Sequence, residues 1–200
     1  MAALKSGVAV SERAPVVILF AETRGFTRTS EMLDPSAVFT RVCEFFGMVT
    51  VAVERHGGAV RSVLNDTLLA TFAGQERVQR AVQAAQDIQR EVTVLEEAWE
   101  RDYGIRAAVA QGLHAGTVVF GSESGPITGQ PLVIGDTVSV AERLLHRARA
   151  GEFVMSQTIM DAIAAAGVAL EAEELPPLEM PRREPIQIFG VLRDTRLDFT

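Results

Sequence analysis

An apolar run, Val16-Val17-Ile18-Leu19-Phe20, leads straight into Ala21-Glu22-Thr23-Arg24-Gly25-Phe26-Thr27. The run reads as a buried strand. A strand that ends in an acid and passes into a Gly turn with a Thr suits a site where a carboxylate holds a metal ion and backbone N–H groups meet phosphate. A second stretch, Leu64-Asn65-Asp66-Thr67-Leu68-Leu69-Ala70, sets another acid between two short apolar runs. Acids at two adjacent strand ends can bracket a magnesium ion. Each stretch alone is also what a turn or capping acid looks like, so the pairing of the two is what points to chemistry.

The other reactive residue types read as structure. The single cysteine, Cys43, falls in the apolar pattern Val38, Phe39, Val42, Cys43, Phe46 and is expected to be a small core residue. His114 sits among apolar residues of a strand and is expected to be a satisfied core histidine. His56 precedes Gly57-Gly58 at a helix end, where a basic side chain favours the dipole. His146 lies among Arg143, Arg147 and Arg149 on a basic helix face, and Asp136 reads as the cap of the helix that follows it. No His/Cys spacing suggests zinc.

These residues need elements to hold them. Residues 1–14 read as a flexible arm, 15–195 as one domain and 196–200 as a tail. Asp34-Pro35-Ser36 starts a long amphipathic helix over residues 37–56, closed by Gly57-Gly58. Residues 60–63 and 68–72 form a hairpin around Asn65-Asp66. Residues 75–99 form a second long helix, apolar at Val78, Val82, Ala85, Ile88 and Val92. Two strands over 105–113 and 117–121 precede a loop over 122–130. A helix over 137–149, a strand over 153–156, a short helix over 157–166 and a hairpin through 186–192 complete the chain. Long helices on one face of a mainly antiparallel sheet make the expected class α+β.

Bulk properties bound the partners. Two hundred residues with 48% hydrophobic content fit one domain with a sizeable core. A net charge of -7 and a pI near 5.1 argue against nucleic acid or anionic membrane as the main partner. The N-terminus lacks a signal-peptide pattern and no uninterrupted apolar run approaches about 18 residues, so a cytoplasmic location is expected.

Four motifs, in order, resemble the catalytic domain of the class III adenylate and guanylate cyclases. Phe20-Ala21-Glu22-Thr23-Arg24-Gly25-Phe26-Thr27 matches F-A-D-I-x-G-F-T, and His56-Gly57-Gly58 followed by Asn65-Asp66 matches the hairpin that carries the second acid. Gly112-Leu113-His114-Ala115-Gly116 matches G-I-H-x-G. Val133-Ile134-Gly135-Asp136-Thr137-Val138-Ser139-Val140-Ala141-Glu142-Arg143-Leu144 matches V-I-G-D-x-V-N-x-A-x-R-L. The resemblance implies a ferredoxin-like cyclase fold and attack of a ribose 3′-hydroxyl on the α-phosphate of a nucleoside triphosphate, yielding a 3′,5′-cyclic nucleotide and pyrophosphate. It implies two Mg2+ or Mn2+ ions per site and a head-to-tail homodimer, with a heterodimer as the other possibility. By the same resemblance, Glu22, Asp66 and the Thr23 carbonyl are the metal ligands, and Gly25, Phe26 and Thr27 the phosphate cradle. A phosphate-binding lysine falls on Arg182, the base-reading pair on Ser62 and Leu132, and the transition-state pair on Ser139 and Arg143.

The departures from the pattern lie in that same site. Glu22 replaces Asp, which moves the carboxylate outward by about 1.5 Å. Ser62 stands for a purine-reading lysine, and Leu132, for an Asp or Thr, offers no side-chain hydrogen bond. Ser139 replaces an Asn that orients the ribose, and Ala110 an arginine before the G-I-H strand. Two readings follow: a working cyclase with altered base specificity, or a weak or inactive cyclase-homology module that binds nucleotide and dimerises as a regulatory partner.

Overall fold

The computed structural model describes residues 12–105, 108–121 and 132–193. The expected arm up to residue 11, the loop over 122–130 and the tail over 196–200 lie outside the described residues. The element order is β1 (Glu12–Arg24), α1 (Phe26–Met32), α2 (Pro35–Arg55), β2 (Ala59–Leu64), β3 (Thr67–Ala73), α3 (Arg77–Tyr103), β4 (Ala108–Phe120), β5 (Val133–Ile134), α4 (Asp136–Arg147), β6 (Glu152–Ser156), α5 (Gln157–Ala165), β7 (Glu173–Leu178) and β8 (Ile186–Leu192). The sheet runs β2-β3-β1-β4-β6-β8-β7, with β5 on the end of β4, and only β4 and β6 pair in parallel. The class is α+β, as the sequence leads one to expect.

The apolar run of β1 sits in the middle of this sheet, and Val16 through Ala21 are all buried. Alternate residues face opposite sides. Val17, Leu19 and Ala21 pack with Phe45, Val49 and Val53 of α2, Ile88 and Val92 of α3, and Ile159 of α5. Val16, Ile18 and Phe20 face the other way and pack with Val140, Ala141, Leu144 and Leu145 of α4. The long helices therefore share one face as expected, and the shorter α4 covers part of the other. That second face carries Glu22, because Glu22 is in phase with Phe20.

Local signals explain the element ends. Asp34 caps α2 by accepting the Ser36 N–H at 2.8 Å, with Pro35 in the first turn. Gly57, at φ 66°, closes α2 in the left-handed region, and the Gly58 N–H reaches back to the Val53 carbonyl at 2.9 Å. By length and composition α2 is apolar enough to cross a membrane, but its C-terminal half is buried in the core through Phe45, Val49, Ala52 and Val53.

Several expectations need correction. The strands expected over 105–113 and 117–121 are one strand, β4, because Ala115 and Gly116 stay in register with Val17 and Val16 and make no turn. Cys43 is exposed and not in the core: the buried residues of α2 all lie toward its C-terminal end, beginning at Phe45. Asp136 is the first helical residue of α4 and not its cap; Gly135 holds the cap position, and the Asp136 carboxylate pairs with Arg183 at 2.5 Å. His56 does close α2, and its Nε2 lies 2.8 Å from Asp87 Oδ2 on α3, a specific partner in place of a general dipole effect. The sequence reading also lacked α1, β5 and β7. β7 contains Pro176-Pro177 and lies at the sheet edge, where missing N–H donors are tolerated.

Candidate functional site

β1 delivers Glu22 to the solvent end of the sheet, opposite Thr67 of β3 on one side and Ala110 of β4 on the other. Asn65-Asp66 forms the turn between β2 and β3, with Asn65 at φ 53°, a left-handed conformation that asparagine tolerates. This turn docks on β1: the Thr23 N–H donates to the Asp66 carbonyl at 3.2 Å. The two acids thus sit at neighbouring strand ends. Gly25, at φ 85°, turns the chain out of β1 and begins α1, whose opening residues are Phe26 and Thr27. The Thr29 N–H and hydroxyl both bond the Gly25 carbonyl, at 3.0 and 2.9 Å, which fixes the turn. The N–H groups of a helix's first turn have no intrahelical acceptor and remain available to an anion.

The side-chain contacts at Glu22 are specific to this chain. Arg24, two residues on and so on the same face, donates from one guanidinium nitrogen to Glu22 Oε1 at 2.5 Å. The other terminal nitrogen donates to the carbonyls of Leu145 and Ala148, both at 2.9 Å, at the C-terminal end of α4. A cation at a helix C-terminus satisfies orphan carbonyls and the dipole together. Glu22 Oε2 lies 3.5 Å from the Thr67 hydroxyl, too far for a strong bond, and no described side chain pairs with the Asp66 carboxylate. Thr23 Oγ1 is buried and lacks a partner among the described residues.

This donor set fits a hard divalent cation. Magnesium takes one or two carboxylates and completes its shell with water and substrate oxygens. Glu22 Oε2 and the Asp66 carboxylate are the groups that could hold it, with the Thr23 backbone linking the two strand ends through its N–H to the Asp66 carbonyl. Among the described residues no cluster of three or more His, Cys, Asp or Glu side chains offers another metal site.

The two residues expected to act on the transition state lie elsewhere in the chain. Ser139 and Arg143 are one helical turn apart on α4, exposed, with no described side chain bonded to either. The opposite stripe of α4, Val140, Ala141, Leu144 and Leu145, is buried on β4. Arg182 sits at φ 63° in the turn after β7, exposed, and its neighbour Arg183 holds Asp136 at the start of α4. That turn therefore belongs to the α4 side, with no recorded contact to Glu22 or Asp66. Ser62 is exposed on β2, and Leu132 is exposed just before β5, its carbonyl accepting the Gly121 N–H at 2.8 Å.

Thus Glu22, Thr23, Asp66 and the Gly25-Phe26-Thr27 turn lie at one end of β1, while Ser139 and Arg143 lie on the exposed stripe of α4 and Arg182 in the turn after β7. An apolar cleft of about 320 Å3, lined by Phe26, Pro35, Val38, Phe39, Val42 and Asn65, adjoins the first group. His114 is the histidine nearest this chemistry by motif, and it is structural: its Nδ1 lies 2.7 Å from Ser156 Oγ. Burial lowers its pKa to about 4, against a raising contribution from Asp136 and a further lowering one from Arg183. Sequence reasoning missed Arg24. Its signal was the i,i+2 spacing from Glu22, but its other anchor lies on a helix 121 residues away.

Residues 8–191 match the family model of the adenylate and guanylate cyclase catalytic domain. The chain belongs to that family. An adenylate cyclase of Anabaena cylindrica is 28% identical over 145 residues, 70% of this chain and 28% of the relative. The chain therefore spans little more than a quarter of that relative's length. The adenylyl cyclase CyaB from P. aeruginosa superposes with a TM-score of 0.83 at 19% identity, covering 94% of this chain and 98% of that one. The guanylate cyclase domain of RhGC from Catenaria anguillulae, solved in complex with GTP, gives 0.77 at 20% identity, covering 90% and 97%. At these identities the structural likenesses speak for the class III cyclase fold.

Proposed function

We propose that this domain converts a nucleoside triphosphate to a 3′,5′-cyclic nucleotide and pyrophosphate, with a base preference altered at positions 62 and 132, in a homodimer that completes each site from two chains. The observation that supports the proposal is the placement of Glu22 and Asp66 on neighbouring strand ends beside the Gly25 turn. Glu22 and Asp66 hold the divalent ions, which when bound would activate the 3′-hydroxyl and neutralise triphosphate charge. The N–H groups opening α1 meet the phosphates. Arg143, exposed on α4 and free of described partners, supplies positive charge to the phosphoryl group in the transition state of the partner's site. Ser139 lies on the same face, and its short hydroxyl reaches the ribose through water.

Exposed apolar residues support the dimer. Leu64 at 72% exposure lies with Val63 at the end of β2 beside the Asn65-Asp66 turn, and Ile134 at 61% lies with Leu132 at the far end of β4. The regulatory reading keeps one specific observation in its favour: Arg24 holds an oxygen of the first metal acid. Incubation with each of the four ribonucleoside triphosphates and Mg2+ or Mn2+, read by mass spectrometry, decides between them. A cyclic nucleotide abolished by Asp66→Ala supports the enzyme; triphosphate binding without product under all eight conditions supports the regulatory module. Manganese belongs in the test because its coordination is less demanding than that of magnesium.

A further inference from the structure

The two base-reading positions lie on strands that are not neighbours: Ser62 on β2, and Leu132 at the start of β5, beyond β3, β1 and β4. Arg61 joins them. A bulge between Val60 and Ser62 leaves Arg61 outside the register with β3. Its side chain crosses to the face of Thr71, where Nε donates to Thr71 Oγ1 at 2.9 Å. The guanidinium then lies over the ring of Phe120, 5.2 Å from its centroid. The residue after Phe120 is Gly121, which donates to the Leu132 carbonyl at 2.8 Å. Two anchors fix the guanidinium plane, and its terminal nitrogens have no hydrogen-bond partner among the described residues.

We propose that Arg61 is a base-reading residue of this domain and that it selects guanine over adenine. The inference rests on the nucleotide-cyclase reading above. The cation that Ser62 lacks is restored one residue earlier, by way of the bulge. A guanidinium fork matches a base edge with two adjacent acceptors, which guanine presents as O6 and N7. Adenine sets an amino donor beside N7, so one N–H of the fork would face another. Leu132 contributes apolar contact at the same wall and favours neither edge.

The test is calorimetry on the whole chain with Mn2+ and the α,β-methylene analogues of GTP and ATP, with tripolyphosphate as the base-free probe. The guanosine analogue is expected to bind roughly tenfold more tightly. Arg61→Met, which keeps the apolar stem on Phe120, should remove that preference by weakening the guanosine analogue alone. Arg61→Lys, which keeps the charge but loses the fork, should fail to restore it. Tripolyphosphate affinity should be unchanged in both variants, which also shows them folded. Equal binding of the two analogues, a preference for the adenosine analogue, or a guanosine preference that persists in Arg61→Met overturns the proposal while Asp66-dependent tripolyphosphate binding stands. Failure of tripolyphosphate itself to bind removes the cyclase site along with it.

Discussion

Glu22 and Arg24 share a contact that an aspartate at position 22 would not reach. The bond is 2.5 Å long, and removing one methylene withdraws the carboxylate by about 1.5 Å. Glu22→Asp should therefore free the carboxylate for metal, tightening Mn2+ binding several-fold and raising any turnover, while costing about 1 kcal/mol of stability from the lost part-buried pair. Mn2+ titration and urea unfolding of the same sample read both effects; a variant with looser metal binding would contradict the assignment of Glu22. Asp66→Ala should lose metal-dependent triphosphate affinity in calorimetry, and Arg143→Ala should lower kcat on the order of a hundredfold with little change in KM. At this scale the strand end carrying Glu22 and the turn carrying Asp66 were legible, because strand alternation sets the face of Glu22 and Asn65-Asp66 has turn chemistry. Arg24 was not, since its second anchor is the end of α4, and Cys43 was misread because periodicity marks a stripe without saying what lies across from it.

At the scale of elements, α4 is set by β4. A side-chain carbon at Gly112 would overlap the backbone of Ala141 and Leu145, so the helix packs as closely as it does because that position is glycine. Gly112→Ala should cost about 3 kcal/mol, seen as a lowered urea midpoint, because the clash is with backbone and no rotamer relieves it. His114, on the same face of β4, gives the fold a pH dependence. The unfolded chain takes up a proton near pH 6.5 that the folded chain refuses until about pH 4. Stability is therefore full above that window and falls as pH drops through it, by at most ~1.4 kcal/mol per pH unit. Between pH 6.5 and 5 the Tm of the wild type should fall and that of His114→Gln should stay flat; parallel curves would contradict the assignment. Helices with caps and long apolar stripes were legible from sequence. β4 was divided in the reading because Ala115-Gly116 resembles a turn, and only pairing with Val17 and Val16 shows that it is not.

At the scale of the whole molecule, the residues proposed for the site lie on two different elements of the described chain. Glu22, Asp66 and the Gly25 turn lie at the end of β1, while Ser139 and Arg143 face outward from α4. The order of motifs along the sequence carried the family and the fold, yet it could not show which stripe of α4 is buried and which leaves Ser139 and Arg143 exposed. The direct test mixes two inactive variants, Asp66→Ala and Arg143→Ala, and measures cyclic nucleotide by mass spectrometry with Mn2+. Each variant alone should be nearly silent. In a head-to-tail dimer, half of the mixed population carries one intact site of two, so the mixture should recover roughly a quarter of the wild-type rate. Recovery on mixing is the result this account predicts. A wild type that turns over while the mixture stays as silent as its components would contradict the split site.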